Sequence, residues 1–239
     1  MKFTAKDIES HLDQIDDNNF DMNYLRFHID RYIYILEFIQ KKLSFNEIGQ
    51  DILDVGPSYQ TELIRKYFPN LTIDTLGYNH RVNLLKGDEA HFHKDLNQTQ
   101  EDPTPITQKK YDIVICSEVL EHIYTNPLHI IKYMSNMLKP KGILFIQTPN
   151  AVAIHKRFKM LLGKNPFQLL EDSRMGHFRE YTGKEITDFY NKSGLNVTAI
   201  SYKNYFGFNS NVLHLLFKKL NFFMPSSFRD GMTITGNKR

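Results

Sequence analysis

Residues 111–150 read YDIVICSEVLEHIYTNPLHIIKYMSNMLKPKGILFIQTPN. Asp112 to Ser117 is a continuous apolar run through Ile113, Val114, Ile115 and Cys116, the pattern of a parallel strand covered on both faces. Glu118, Glu121 and His122 follow at once, at a spacing that puts all three on one face if the segment is helical. Leu128, Ile131, Met134 and Leu138 then recur at helical spacing, and Pro140 with Gly142 is expected to stop that helix. Ile143 to Ile146 makes another buried strand. Polar groups just past the carboxyl end of a parallel strand are where open α/β sheets bind ligands, so Glu118, Glu121 and His122 are the first site candidates.

Outward from this stretch, strands and helices alternate. Asp51–Val55 reads as the first strand, broken by Gly56 and Pro57, with a helix starting near Ser58 to Thr61, either of which can cap it. Leu71–Gly77 and His91–Asp95 read as the second and third strands, and the polar, two-proline segment 97–110 as a surface loop. Upstream, residues 1–48 look like a helical cap in which Leu25, Ile29, Ile33, Leu36 and Ile39 form the apolar stripe. Downstream, residues 151–181 break the alternation with a basic, Phe-containing segment expected to be a lid. Thr182 and Glu185 then spell a capping box for a helix running to about Ser193. Gly194 ends it, Asn196–Tyr202 resumes strand character, and Met232–Thr235 is expected to be a final edge strand. This alternation predicts a doubly wound α/β sheet in a single domain. Its parts are a cap (1–48), a core (49–150), a lid (151–181) and a carboxyl-terminal part of the sheet (182–239).

Composition narrows the classes. Of 239 residues, 41% are apolar, enough for a sizeable core, and 30 basic against 27 acidic residues leave a net charge of +3. That charge is too mild to argue for nucleic acid. Cys116 is the one cysteine, which excludes an intramolecular disulfide and a cysteine-rich metal site; in a buried strand it reads as inert core. The start, MKFTAKDIES, lacks the apolar run of a leader peptide, and no stretch approaches the ~18 apolar residues of a membrane helix, so a cytoplasmic protein is expected. The apolar, lysine-bearing run within 209–228 reads first as core packing, with a dimer surface or weak membrane contact as alternatives.

The junction DIVICSEVLEH and the later LKPKGILFIQTPN resemble the class I S-adenosylmethionine-dependent methyltransferases, in particular the ubiquinone-biosynthesis-like (type 11/23) branch. The resemblance spans about residues 48–205. It implies a Rossmann-like, seven-stranded, mostly parallel sheet with an antiparallel last hairpin, and S-adenosyl-L-methionine as cofactor. ILDVGPSYQTELI then occupies the place of the glycine-rich first motif. Asp54 and Gly56 match it, while Ser58 and Gln60 stand where the family usually has glycines. Glycine suits such a turn because it lacks a Cβ and tolerates positive φ. The resemblance implies that Asp54 reaches the cofactor's amino group, directly or through water.

At the end of the second strand, LTIDTLGYNH puts Gly77 or Tyr78 at the usual ribose-binding acid, with Asp74 too early. Asn79 is the candidate substitute, against the plain reading of a Tyr78-Asn79 turn. In HKDLNQ, Asp95 and Leu96 match the adenine-binding pair, and Ser117 and Glu118 complete the expected cofactor set. Some members of the branch hold a divalent metal with an E-x-x-E-H pattern and a distant histidine, which here means Glu118, Glu121, His122 and His177. In others the acids cap or pair and the histidine lines the pocket.

His177 opens HFREYT (177–182), which resembles the segment that closes the site. His122 and His177 are the candidate bases for an oxygen nucleophile, with His155 a third choice. The implied activity is O-methylation of a small molecule or a saccharide or glycan precursor. The lid's His155, Lys156, Arg157, Lys159, Lys164 and Arg174 either hold an anionic acceptor or form a solvated basic face. Two alternatives stand beside this reading: a non-catalytic scaffold, suggested by the missing glycines and ribose acid, and a metal-dependent methyltransferase of RNA 2′-hydroxyls. For one acceptor atom or one ion to engage both histidines, their rings must lie well within ~15 Å.

Overall fold

The computed structural model describes residues 2–12, 22–43, 50–78, 89–167, 176–205 and 224–239. In chain order the elements are α1 (Ala5–Leu12), α2 (Met22–Lys42), β1 (Asp51–Val55), α3 (Tyr59–Tyr67), β2 (Thr72–Gly77), β3 (His91–His93), β4 (Tyr111–Ser117) and α4 (Pro127–Asn136). Then come β5 (Leu138–Pro149), α5 (Ile154–Leu161), α6 (Gly183–Lys192), β6 (Leu195–Lys203) and β7 (Gly231–Lys238). The strands form one seven-stranded sheet in the order β3-β2-β1-β4-β5-β7-β6. Pairing is parallel from β3 to β5, and β7 runs antiparallel to both β5 and β6. This is the doubly wound, Rossmann-like sheet with an antiparallel last hairpin. The order reverses between β1 and β4, and the crevice there is where such sheets bind ligands.

The continuous apolar runs of the central strands follow from cover on both sides. Leu53, Val55, Val114, Cys116, Leu144 and Ile146 point to one face, where they pack with Ile130, Ile131 and Met134 of α4 and Ile186 and Tyr190 of α6. Ile52, Ile113, Ile115 and Phe145 point to the other, where α1, α2 and α3 supply Ile8, Leu25, Tyr32, Ile35, Ile39, Leu63 and Ile64. Truncating one such side chain, as in Ile115→Ala, costs about 2–5 kcal/mol.

Several sequence expectations shift. Met232–Thr235 lies inside β7, which is an interior strand; β6 is the edge, because β7 takes hydrogen bonds from β5 on one side and β6 on the other. The stripe on α2 also differs: Leu25, His28, Arg31, Tyr32, Ile35, Leu36 and Ile39 are buried, with Ile29 and Ile33 only partly covered at its margin. The helix before β5 ends at Asn136, ahead of Pro140 and Gly142, which both fall inside the strand. β3 stops at His93, because Asp95 leaves the ladder to cap a single 3₁₀ turn, Leu96–Thr99. The lid segment includes α5, and residues 168–175, with Arg174, lie outside the described residues. Of the 209–228 segment only 224–228 is described, containing a 3₁₀ turn at Ser226–Phe228. Among the described residues no helix is long and apolar enough to cross a membrane.

Candidate active site

The β1–α3 turn crosses the carboxyl end of the sheet beside β4. Gly56 takes φ +78°, and a Cβ there would fall 2.4 Å from Val119 Cγ2. Its N–H donates to Leu76 O at 2.9 Å. Only glycine brings backbone this close to the next loop. Ser58 is the N-cap of α3: its hydroxyl accepts from Gln60 N, while its own N–H donates to Thr61 Oγ1 at 3.0 Å. Asp54 is fully buried, and its two oxygens accept from Gln60 Nε2 and Thr61 Oγ1, both at 2.6 Å. Burial pushes the Asp54 carboxyl up to about 6, with the Thr61 and Gln60 bonds offsetting part of that cost.

Gln60 Nε2 and Thr61 Oγ1 thus lock the turn to the end of β1, while Gln60 Oε1 is buried without a hydrogen-bond partner. Tyr59 packs into the core with Leu63 and Ile64. The side chains that replace the family's later glycines are therefore held within the protein, and the backbone of the Gly56 turn remains the element suited to approach a methionine moiety.

The other expected cofactor contacts fall as follows. Asn79 lies outside the described residues. Tyr78, just before it, is half exposed and lies edge-on to the His93 ring at 6.0 Å. Asp74 is committed elsewhere, accepting from Ala90 N and Tyr111 Oη (both 2.8 Å) and pairing with Lys109. Asp95 Oδ1 accepts from Asn97 N and Asn97 Nδ2, so Asn97 is oriented to accept from Tyr124 N at 2.8 Å and Thr125 N at 3.2 Å. The Leu96 side chain is core. These bonds tie the Asp95 turn to the loop that follows His122. Backbone at Gly56, where the strand order reverses, and a half-buried acid at Asp95, tied through Asn97 to the loop after β4, are a donor and acceptor set that fits S-adenosyl-L-methionine.

At the end of β4, Glu118 is not on a helix face with Glu121 and His122. It sits at φ +54°, a left-handed kink, and only Leu120–His122 forms a 3₁₀ turn. The kink leaves Glu118 beside Glu121 but outside the histidine pair. Donor atoms of Glu121, His122 and His177 lie within 4.8 Å of one another, and Glu118 is outside that group. Glu121 is fully buried; its Oε2 accepts from Thr148 Oγ1 at 2.9 Å and its Oε1 has no hydrogen-bond partner. Glu118 Oε1 is buried and likewise unpartnered. Burial and the facing Glu121 carboxylate drive Glu118 well above the usual carboxylate range, while Arg31 opposes the shift.

The segment beginning at His177 is docked directly onto this turn. Phe178 N and Arg179 N both donate to Glu121 O, at 2.8 and 3.3 Å. The His122 and His177 rings meet edge-to-face with centroids 4.9 Å apart, well inside the reach that shared engagement requires. Glu180 bonds His177 Nδ1 at 3.1 Å and pairs with Lys156 of α5. Burial alone would raise the Glu180 carboxyl, but its His177 and Lys156 partners hold it below the usual range. Thr182 caps α6 through the reciprocal box with Glu185, which anchors the segment's far end. At the rim, Tyr124 and Phe178 are exposed and lie edge-to-face at 5.6 Å. His155 is partly buried, and burial lowers it to about 4; it is not part of the His122–His177 group.

Arg31 was not singled out by sequence reasoning. It rises from α2 with 1% exposure, donates from Nη1 to Ser117 Oγ at 3.1 Å and stacks over Tyr32. Ser117 passes the bond on to Gln147 Oε1 at 2.9 Å, and Gln147 Nε2 to Thr233 Oγ1 at 3.0 Å. A buried polar chain therefore links the cap helix to the strand ends beneath the acids.

A parallel sheet with a glycine turn at its switch point, and an acid–histidine cluster past the next strand, defines a Rossmann-like methyltransferase fold. Residues 26–200 match the methyltransferase domain family, and the chain belongs to it. Among curated relatives, a ubiquinone biosynthesis O-methyltransferase of Actinobacillus pleuropneumoniae is 32% identical over 48% of this chain and 52% of its own. The Coxiella burnetii protein of the same name is 25% identical over 74% of this chain and 78% of its own. The chain spans about half the length of the first of these relatives.

Two solved structures share the fold. A SAM-dependent methyltransferase from Archaeoglobus fulgidus superposes with TM-score 0.56 at 14% identity, over 91% of this chain and 100% of that one. An N-methyltransferase from Bradyrhizobium japonicum in complex with S-adenosyl-L-homocysteine superposes with TM-score 0.53 at 12% identity, over 98% and 97%.

Proposed function

We propose that this protein transfers a methyl group from S-adenosyl-L-methionine to an oxygen of a small molecule or saccharide. The observation that carries the reading is the meeting of His122 and His177 at 4.9 Å beside the buried Glu121. When bound, the cofactor supplies a sulfonium methyl that is already electrophilic, so the protein's part is alignment and dryness. An oxygen nucleophile must also shed a proton, and an imidazole is the side chain suited to take it near neutral pH. In this reading Gly56 backbone, Asp95 and the Ser117–Glu118 strand end hold the cofactor, and Asp54 and Ser58 hold the turn in shape. Tyr124 and Phe178 offer the acceptor ring an apolar face. The relatives named as O-methyltransferases agree with oxygen as the methylated atom.

A second reading is favoured by one observation: Glu121 Oε1 is buried without a partner, within reach of both histidines. One carboxylate and two imidazoles suit a divalent cation. Glu121, His122 and His177 would hold it, and it would polarise an acceptor hydroxyl. Glu118 is left out of that set.

The test is transfer of labelled methyl from S-adenosyl-L-methionine to panels of hydroxyl-bearing aromatic compounds and sugars, each beside its amine counterpart. Label on hydroxyl acceptors is expected. Label on the amines alone would overturn the oxygen assignment. Repeating the assay after exhaustive chelation decides the second reading, because unchanged turnover would reject the cation.

A further inference from the structure

Both imidazoles of the cluster are gripped through the same ring atom. His122 Nδ1 lies 3.1 Å from Gly176 O. A carbonyl only accepts, so this nitrogen carries a proton, and in the neutral ring His122 Nε2 then carries the lone pair, 4.0 Å from Glu121 Oε1. His177 Nδ1 lies 3.1 Å from Glu180 Oε1. Glu180 is 8% exposed, and its other oxygen is ion-paired with Lys156 Nζ, which is itself buried and also donates to Asn150 O at 3.1 Å. The lysine reaches in from α5 and the carboxylate stands two residues before the α6 cap, so a relay from α5 through Glu180 ends on one ring nitrogen.

We propose that Lys156 and Glu180 are positioning residues that fix His177 as the Nδ1–H tautomer, so that both histidines turn an Nε2 lone pair toward the space they share with Glu121. This rests on the reading of His177 as a site group. A carboxylate oriented this way sets which imidazole nitrogen is available. The lysine has a distinct task. By occupying Glu180 Oε2 it leaves Oε1 as the atom that meets the ring. The arrangement serves a base and a cation ligand equally, since each role needs an unprotonated Nε2.

The lysine's task gives a prediction with an inverted sign. In Glu180→Gln the side chain keeps its shape but has one acceptor and one donor. Lys156 can only donate, so it takes the amide oxygen, and the amide N–H turns to His177. Nδ1 must then accept, and the proton moves to Nε2. In the double variant Glu180→Gln/Lys156→Met the amide is free to turn its oxygen back, and the ring returns in part to Nδ1–H.

Long-range ¹H–¹⁵N correlation spectra of the full chain, labelled at histidine and recorded on neutral imidazoles, read each tautomer directly. In the unmodified protein His122 and His177 are both expected as Nδ1–H. In Glu180→Gln the protonated and unprotonated nitrogen resonances of His177 should interchange while those of His122 stay, because Gly176 O is untouched. A wild-type His177 protonated at Nε2 overturns the proposal without any variant. So does an unchanged His177 in Glu180→Gln. A double variant still held at Nε2–H would remove Lys156 from the account. Calorimetry with S-adenosyl-L-homocysteine on the same samples separates the two claims: absence of binding by wild type strikes the proposed function and leaves the tautomer result standing.

Discussion

The turn after β1 and the turn after β4 lie side by side at the same end of the sheet, yet they differ in what becomes of their carboxylates. After β1, the acid is satisfied and one amide oxygen is not: Asp54 takes both of its bonds from Gln60 and Thr61, Ser58 and Thr61 cap α3 reciprocally, and Gln60 Oε1 is left buried without a partner. What that turn presents outward is backbone at Gly56. After β4, the backbone is docked, with Glu121 O accepting from Phe178 N and Arg179 N, and the side chains keep spare capacity at Glu118 Oε1 and Glu121 Oε1. Buried polar atoms without partners are costly, and functional sites are where they persist. Under the proposed function the two turns divide the labour: the first shapes a cofactor seat from backbone, and the second supplies reactive side chains.

The largest effect should come from the second turn. With an acceptor in hand, His122→Ala or His177→Ala is expected to lower turnover by about 10²–10⁴-fold, with affinity for S-adenosyl-L-homocysteine nearly unchanged. Equal losses in cofactor affinity and turnover would erase the proposed division between the turns.

Next in size is the electrostatic cost of the first turn. Asp54 is raised from 3.8 to about 6 by burial, so the folded state holds its proton more tightly than the unfolded chain. The contribution of this group to stability is therefore greatest below the unfolded value and falls as pH rises through the window between 3.8 and about 6. About 3 kcal/mol should be lost across it, at 1.36 kcal/mol per pH unit of difference. Urea unfolding of wild type and Asp54→Asn at several pH values isolates the effect, since the asparagine form should lack that slope. A wild-type slope of opposite sign, cancelled in the variant, would contradict it.

Arg31 joins the cap helix to the second turn. Arg31→Met, which keeps the stem, should cost about 1.5–3 kcal/mol for the lost charged hydrogen bond to Ser117. Arg31→Lys should recover less than half, because the planar fork is gone. Full recovery by lysine would mean that charge alone matters there.

The smallest purely backbone effect is expected at Gly56. Gly56→Ala should destabilise by about 1–2 kcal/mol through its left-handed backbone, to which the displacement of the stiff, β-branched Val119, 2.4 Å from the new Cβ, adds. Its cofactor affinity should nevertheless fall more than in the His177→Ala variant. The reverse order would mean that the backbone of this turn is not the seat.

Features specified locally were legible in the sequence. The Thr182–Glu185 box, the Ser58 cap and the apolar runs of β1, β4 and β5 depend on neighbours a few residues away, and each appears where its pattern stands. Features decided by distant contacts were not. GMTITGNK carries no mark of whether one strand or two will flank it, so the interior position of β7 was missed. A charged residue on an amphipathic helix reads as solvated, yet the fold turns Arg31 inward to Ser117, 86 residues away. The one available signal was its place beside Tyr32 between His28 and Ile35, on the stripe that is buried. Glu118 was read onto a helix from spacing alone, and the left-handed kink at a non-glycine residue has no sequence mark. The pairing of His122 with His177 was expected from the resemblance, and the Glu121 carbonyl that docks HFREYT supplies its physical cause.

Calorimetric titration of the full chain with S-adenosyl-L-homocysteine tests the central claim most directly. Saturable binding at one site per chain is expected, preserved in His177→Ala and weakened in Gly56→Ala. Absence of heat at millimolar ligand, in protein whose unfolding is cooperative, would contradict it.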